Sequence, residues 1–448
     1  LFLVCTLRGT AQNFSIDYPS YQYRNSDALE ISRIVCNDTA TILYMDAYSR
    51  PNYWIRLASG LSLHGNQTGK NYPIIRSQGF ELDKEVYMPA SGNVTFSLQF
   101  VPLAPQEKMI DFIEGANKGD FQIKSISLNE QEKKGKIHCH ISGKVIDSPQ
   151  SSRLVLMKAH KNPSSSPWLS IPIRNGEFQY DFYADHEEVY EVFIWNDMLT
   201  GSWLPSLFFA ENGPVSFTLY PASTRKPGLV STSNPLTCEL QQLESERKAK
   251  FNFDSLYAQM NKLYEENRFE SEALQTLWKK IEQVKDNNEE RNNIYRERDR
   301  LEESGEAYTE EGKALLAKIK QLNEEMNQWT IKHIKQNPSL PGLYVLTSKT
   351  EMARKGEDVT PFLNAYQETF ASLYPEHPYG QQMQMLIKNG QPEIGKPYVD
   401  FSAPDLNGNK VQISKYIQGK VALIDLWASW CGPSRRPSGL RKTRFSSN

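Results

Sequence analysis

Cys431 is the residue of this sequence best placed to do chemistry. It follows Val421-Ala422-Leu423-Ile424-Asp425-Leu426-Trp427, a run that is apolar but for Asp425, and it sits in Trp430-Cys431-Gly432-Pro433-Ser434. Such a run reads as a central strand buried on both faces. A cysteine leaving a strand at a helix N-terminus meets unpaired backbone N–H groups and the positive end of the helix dipole. Both favour thiolate over thiol, so Cys431 is a candidate nucleophile at neutral pH. Pro433 fits the first helical turn, where its missing N–H costs nothing. Trp430 would shield the sulfur and present an apolar docking surface.

Residues 394–437 carry a resemblance to the thioredoxin superfamily. Ile394-Gly395-Lys396-Pro397 leads to Phe401-Ser402-Ala403-Pro404-Asp405-Leu406-Asn407-Gly408, and Gly419-Lys420 opens the apolar run. With Trp430-Cys431-Gly432-Pro433 this resembles the exported thiol–disulfide oxidoreductases of Gram-negative envelopes, often grouped with the alkyl hydroperoxide reductase/thiol-specific antioxidant family. The resemblance implies a thioredoxin-like α/β fold, protein thiols and disulfides as substrates, no cofactor, and a periplasmic or cell-envelope location. It places a buried carboxylate at Asp425, where burial would raise the pKa and let it accept a proton during exchange. The regions before residue 391 resemble, more loosely, the accessory regions that precede thioredoxin domains in such proteins.

Two departures qualify the expected activity. The second cysteine of the family motif falls on Ser434, and a hydroxyl does not resolve a mixed disulfide. The chain also ends at Asn448, and Pro437-Ser438-Gly439 breaks any helix after one turn. The tail 434–448 holds Arg435, Arg436, Arg441, Lys442 and Arg444 and no acidic residue. The expectation is a thioredoxin-like domain truncated or frame-shifted within 391–448, and an oxidoreductase impaired by that and by Ser434. A peroxidase is disfavoured, because the Thr that precedes a peroxidatic cysteine is missing here.

The remaining residues must position that site or do something of their own. Residues 13–116 read as all-β, with alternating runs such as Leu29-Glu30-Ile31-Ser32-Arg33-Ile34-Val35 and Val94-Thr95-Phe96-Ser97-Leu98-Gln99-Phe100. A second β unit is expected over 121–222. It begins with Phe121-Gln122-Ile123-Lys124-Ser125-Ile126, and Asn175-Gly176 signals a tight turn. Both units are expected to be sandwich-like. Residues 223–236 are rich in Ser, Thr, Pro and Gly and read as a linker. The period then becomes helical. Leu274, Leu277, Ile281 and Val284 form one stripe, and Leu315, Ile319, Leu322, Met326 and Trp329 form a heptad seam. The charged stretch 287–311 between them suggests a helical hairpin within 237–390, an intramolecular bundle being favoured over a coiled-coil dimer because the seam is short. Pro338 and Pro341 separate later helices.

At the other end, Leu1-Phe2-Leu3-Val4-Cys5-Thr6-Leu7 followed by Gly9 and Ala11 reads as the remnant of a secretory signal peptide over 1–12. Export is the expectation. The chain has 448 residues, with 39% hydrophobic and 11% aromatic, which suits a globular protein of roughly three domains. Its 51 basic and 53 acidic side chains give no electrostatic reason to expect nucleic acid. No apolar run is long enough for a membrane span. Five scattered cysteines do not make a disulfide scaffold. His138 and His140 would share one face of a strand with Cys139 on the other, and without further ligands no metal is expected. Tyr18, Tyr21 and Tyr23 mark a strand edge, or a glycan or peptide ligand of the β units. A non-catalytic envelope protein acting through those units is therefore the alternative reading.

Overall fold

The computed structural model describes residues 13–117, 119–129, 135–163, 166, 168–284, 288–353, 357–389, 398, 400–404 and 410–422. The described residues up to Gln381 fall in one compact unit, and those from Gln382 onward in a second.

The first unit opens with eleven strands: β1 (Phe14–Asp17), β2 (Tyr23–Arg24), β3 (Leu29–Cys36), β4 (Thr41–Tyr48), β5 (Trp54–Ile55), β6 (Ser62–Gly65), β7 (Asn71–Gln78), β8 (Val86–Tyr87), β9 (Asn93–Phe100), β10 (Met109–Ile113) and β11 (Gln122–Ser127). Nine of them make a single sheet in the order β1-β3-β4-β9-β7-β6-β10-β11-β2, while β5 and β8 pair as a separate ribbon. Leu43 and Leu98 from one half and Leu63, Phe112 and Ile126 from the other share one core. A twisted sheet of this width curls until both halves face each other. The alternation of each run is what allows this, since every second residue then points into the curl.

The stretch 121–126, expected to open the second β unit, belongs to this first sheet. Ile126 pairs with Ile110, and Ile123 with both Phe112 and Arg24. A register shift between Ile110 and Phe112 keeps Ile123 and Ile126 both on the core side, where both are buried.

The second β region contains β12 (Ile137–Val145), β13 (Arg153–Lys158), β14 (Leu169–Pro172), β15 (Glu177–Ala184), β16 (Val189–Ile194), the short helix α1 (Trp195–Thr200), β17 (Ser206–Phe209), β18 (Gly213–Leu219) and β19 (Leu229–Thr232). They form two four-stranded sheets, β15-β12-β18-β19 and β14-β13-β16-β17. Ile141, Phe178 and Phe217 of one sheet share a core with Leu154, Val192 and Phe208 of the other. Asn175 and Gly176 both have positive φ, as a tight two-residue turn into β15 requires.

Helices follow: α2 (Pro235–Lys250), α3 (Asp254–Glu265), α4 (Glu272–Gln283), α5 (Asn288–Ser304), α6 (Glu310–Gln336), α7 (Leu340–Met352), α8 (Thr360–Ala365) and α9 (Pro378–Asn389). The charged stretch between the two apolar stripes is thus a helix itself, α5. Pro341 lies in the first turn of α7, not between helices.

Helices α3 to α6 are an interlocked pair of like halves. Asn267 after α3 and Gly305 after α5 both adopt positive φ. Arg268 N–H donates to the Leu263 carbonyl, and Glu306 N–H to the Leu301 carbonyl, each at 2.8 Å. Ser271 caps α4 and Thr309 caps α6 in the same way. Glu270 and Tyr308 form an antiparallel bridge between the halves. Around it Ser271 N–H donates to the Ala307 carbonyl at 2.9 Å, and Thr309 N–H to the Phe269 carbonyl at 3.1 Å. Each residue of the second half lies 38 positions after its counterpart, as Leu277 and Leu315 do, and Ile281 and Ile319. α3 packs on α6 and α4 on α5, so each half completes the other.

The second unit contains β20 (Ser402–Pro404), β21 (Lys410–Gln412) and α10 (Ser414–Ile417), with β20 and β21 antiparallel.

Candidate functional site

Asp425, Trp430, Cys431, Gly432, Pro433 and Ser434 lie outside the described residues. So does most of the apolar run before them. What is described is the approach. Ser402 pairs with Gln412 and Ala403 with Val411. The Asp400 carboxylate then ties this hairpin to α10. It accepts the Ser414 backbone N–H at 3.0 Å and the Gln412 side-chain amide at 2.7 Å. Those bonds, Ser414 foremost, hold its carboxyl below the ordinary range. Gly419 takes a positive φ just before Lys420, where the apolar run opens in the sequence.

Of the other thiols, Cys36 and Cys139 are buried and Cys238 is exposed. Burial pushes the Cys36 thiol up to about 11 and the Cys139 thiol up to about 12. Neither is a nucleophile at neutral pH. Cys238 makes a long contact of 3.4 Å with the Thr232 carbonyl oxygen.

The alternation expected for His138-Cys139-His140 holds. Cys139 enters the core, and both imidazoles turn outward to Asp181 on β15. One Asp181 oxygen lies 2.8 Å from His138 Nε2 and 3.0 Å from His140 Nδ1. Partial burial works against the charge, but bonds with His140 and His138 still hold this carboxyl below its usual value. Among the described residues no group of three or more His, Cys, Asp and Glu is placed to hold a metal ion. Tyr18 packs against Tyr180 at 4.4 Å between ring centroids, while Tyr23 on edge strand β2 is exposed.

A cluster that the sequence did not single out lies where β16 meets the helices. Tyr379 Oη accepts the Val189 backbone N–H at 2.6 Å. Tyr344 Oη lies 2.7 Å from His160 Nε2, with the two rings stacked. Between Val189 and Phe193 on the same strand face stands Glu191, 5% exposed. Burial raises its carboxyl to about 7 against one backbone hydrogen bond from His160. The only sequence signal was a glutamate inside the apolar run Val189-Tyr190-Glu191-Val192-Phe193-Ile194.

No family model matches the chain. Over 38 residues it is 42% identical to the thiol:disulfide interchange protein DsbE of Pseudomonas fluorescens biotype C, which covers 8% of this chain and 21% of that protein. The chain thus spans about a fifth of the length of this relative. Among solved structures, pullulanase type I of Bacillus subtilis aligns with it at 11% identity, covering 38% of this chain and 23% of that one, with a TM-score of 0.12. The TIE protein of Bacillus anthracis aligns at 9% identity over 47% of this chain and 40% of that one, also at 0.12. Scores this low do not establish a shared fold. Among the described residues no helix is long and apolar enough to cross a membrane.

Proposed function

We propose that this chain is an exported thiol–disulfide oxidoreductase of the thioredoxin-like family, acting in the periplasm or cell envelope of a Gram-negative bacterium on protein thiols and disulfides. The 42% identity over 38 residues to a thiol:disulfide interchange protein carries this reading. The run 421–427 ending in Trp430-Cys431-Gly432-Pro433 gives it a chemical basis.

In this reading the Cys431 thiolate attacks one sulfur of a protein disulfide. A new S–S bond forms, the old one breaks, and its electron pair leaves on the second sulfur, which takes up a proton. Asp425 serves as the proton carrier, and Trp430 shields the mixed disulfide. Ser434 supplies no second thiol, so a small-molecule or protein thiol from outside must release the product. The activity is that of a one-thiol exchanger, weaker than a dithiol reductase. To test it, the intact chain is incubated with a disulfide-linked peptide and analysed by mass without reductant. An adduct on Cys431 is expected to form faster than any on exposed Cys238, and Cys431→Ala removes that fast adduct. An adduct distribution unchanged by that substitution would refute the reading.

One observation favours a second reading, a binding protein of the envelope acting through its β regions. Trp54 and Tyr87 face each other across the β5–β8 ribbon and both are exposed, as is Tyr53. Under this reading Cys431→Ala leaves the protein's cellular role intact, while Trp54→Ala abolishes it.

A further inference from the structure

The outer face of sheet β14-β13-β16-β17 carries Val155, Met157, Val189, Phe193 and Phe209, all buried. Several fasteners hold helices to this region. Glu211 accepts the backbone N–H groups of Leu236 and Thr237 at the start of α2, both at 3.0 Å. Phe209 N–H donates to Thr237 Oγ1, and the Phe209 ring meets Tyr344 of α7 edge-on. Tyr379 reaches Val189, and Tyr344 reaches His160.

Glu191 stands in the middle of this face. Its cross-strand partners are Met157 and Leu207, both apolar. Charged and titratable groups surround the joint, among them the Tyr344 hydroxyl of α7, which burial, Glu244 and Glu191 all raise. Lys161, in the turn after β13, pairs with Glu351 of α7. Lys158 pairs with Glu188 beside β16, and Arg247 of α2 pairs with Glu244. Lys349 of α7 is partly buried, which lowers its pKa. His377 packs on Tyr379 and lies near His186. No cation is among the groups that shift Glu191; burial and the His160 backbone are. A carboxylate taken out of water without a cation loses several kcal/mol, so the group neutralises instead.

We propose that this joint is a proton-operated latch, closed on a protonated Glu191 and loosened when that carboxyl ionises. Its sign follows from linkage. A carboxyl whose value rises in the closed state contributes fully below its open-state value, and the contribution is lost as pH rises through about 7. His160 works in the opposite direction. Burial lowers its pKa, so its contribution is present above the ordinary histidine range and lost as pH falls. The joint is therefore tightest in mildly acidic solution, and rising pH frees α7 from the sheet.

The test is hydrogen exchange of the full chain, read at the α7 amides and at the Val189 amide and corrected for intrinsic rates. Comparing Glu191→Gln with the unmodified protein cancels the His160 contribution. The ratio of their protection factors is expected to rise roughly tenfold between pH 6 and pH 8. Amides of β3 and β4 should show no such change. A ratio independent of pH overturns the proposal, whatever the absolute stability of the variant. If Glu191→Gln does not fold, Glu191→Met, which matches the apolar Met157 opposite, serves the same comparison. A carboxyl-carbon titration of the unmodified chain gives an independent answer: a midpoint for Glu191 in the ordinary carboxylate range also overturns it.

Discussion

The guanidinium of Arg153 lies 4.2 Å from the ring centroid of Tyr48, joining β13 of the second β region to β4 of the first. The Trp195 ring centroid is 4.1 Å from it as well. Nη1 donates to the Asp27 carbonyl at 2.8 Å, and Nη2 lies 3.4 Å from its carboxylate. With 1% exposure, Arg153 is a cation held against aromatic faces with almost no water. Burial lowers its pKa to about 10, so it stays charged at neutral pH.

Arg153→Ala removes both stacked contacts and leaves a cavity between the two β regions. The expected cost is about 3 kcal/mol, seen as a lower urea midpoint. Arg153→Lys recovers little of it, because an ammonium lacks the planar fork that stacks on both rings. A lysine variant as stable as the original would show that charge alone matters there.

The thiols should separate by burial. In the native protein at pH 8, a disulfide reagent is expected to modify Cys238 and to leave Cys36 and Cys139 untouched, since their raised values keep them protonated. Both should react once the chain is unfolded. Fast native labelling of Cys139 would contradict its place in the core.

The interlocked helices make a size argument. Phe269 and Gly312 in one arm correspond to Ala307 and Leu274 in the other, so bulk is exchanged between the halves. A Cβ on Gly312 would collide with the Phe269 carbonyl. Gly312→Ala is therefore expected to cost about 2 kcal/mol or more by thermal unfolding. At Gly305, where a Cβ meets nothing within 4 Å but φ is +73°, alanine should cost about 1 kcal/mol, and asparagine less.

Much of the local structure was legible in the sequence. The runs at 29–35, 94–100, 153–157 and 178–183 are strands, because alternation and β-branched content act locally. That His138 and His140 share a face opposite Cys139 followed from the two-residue period alone. Partners distant in the chain were not legible. The stretch 121–126 reads as a strand in either region, and only pairing with β10 and β2 assigns it. Arg153 reads as an ordinary polar strand residue, because Tyr48 and Trp195 are far from it in sequence. The like halves of α3 to α6 share few identical residues, so their relation emerges from caps and bridging bonds. The proposed site is the reverse case. Its residues are legible as a motif, yet they lie outside the described part of the chain.

The most direct test of the central claim is the alkylation rate of Cys431 by iodoacetamide at pH 7, measured site by site against Cys238 in the same native sample. A thiolate held at a strand-to-helix turn predicts faster labelling at Cys431, with a rate that levels off below the ordinary thiol range. Labelling of Cys431 no faster than Cys238, rising with pH like an ordinary thiol, would contradict the assignment of this chain as a thiol–disulfide oxidoreductase.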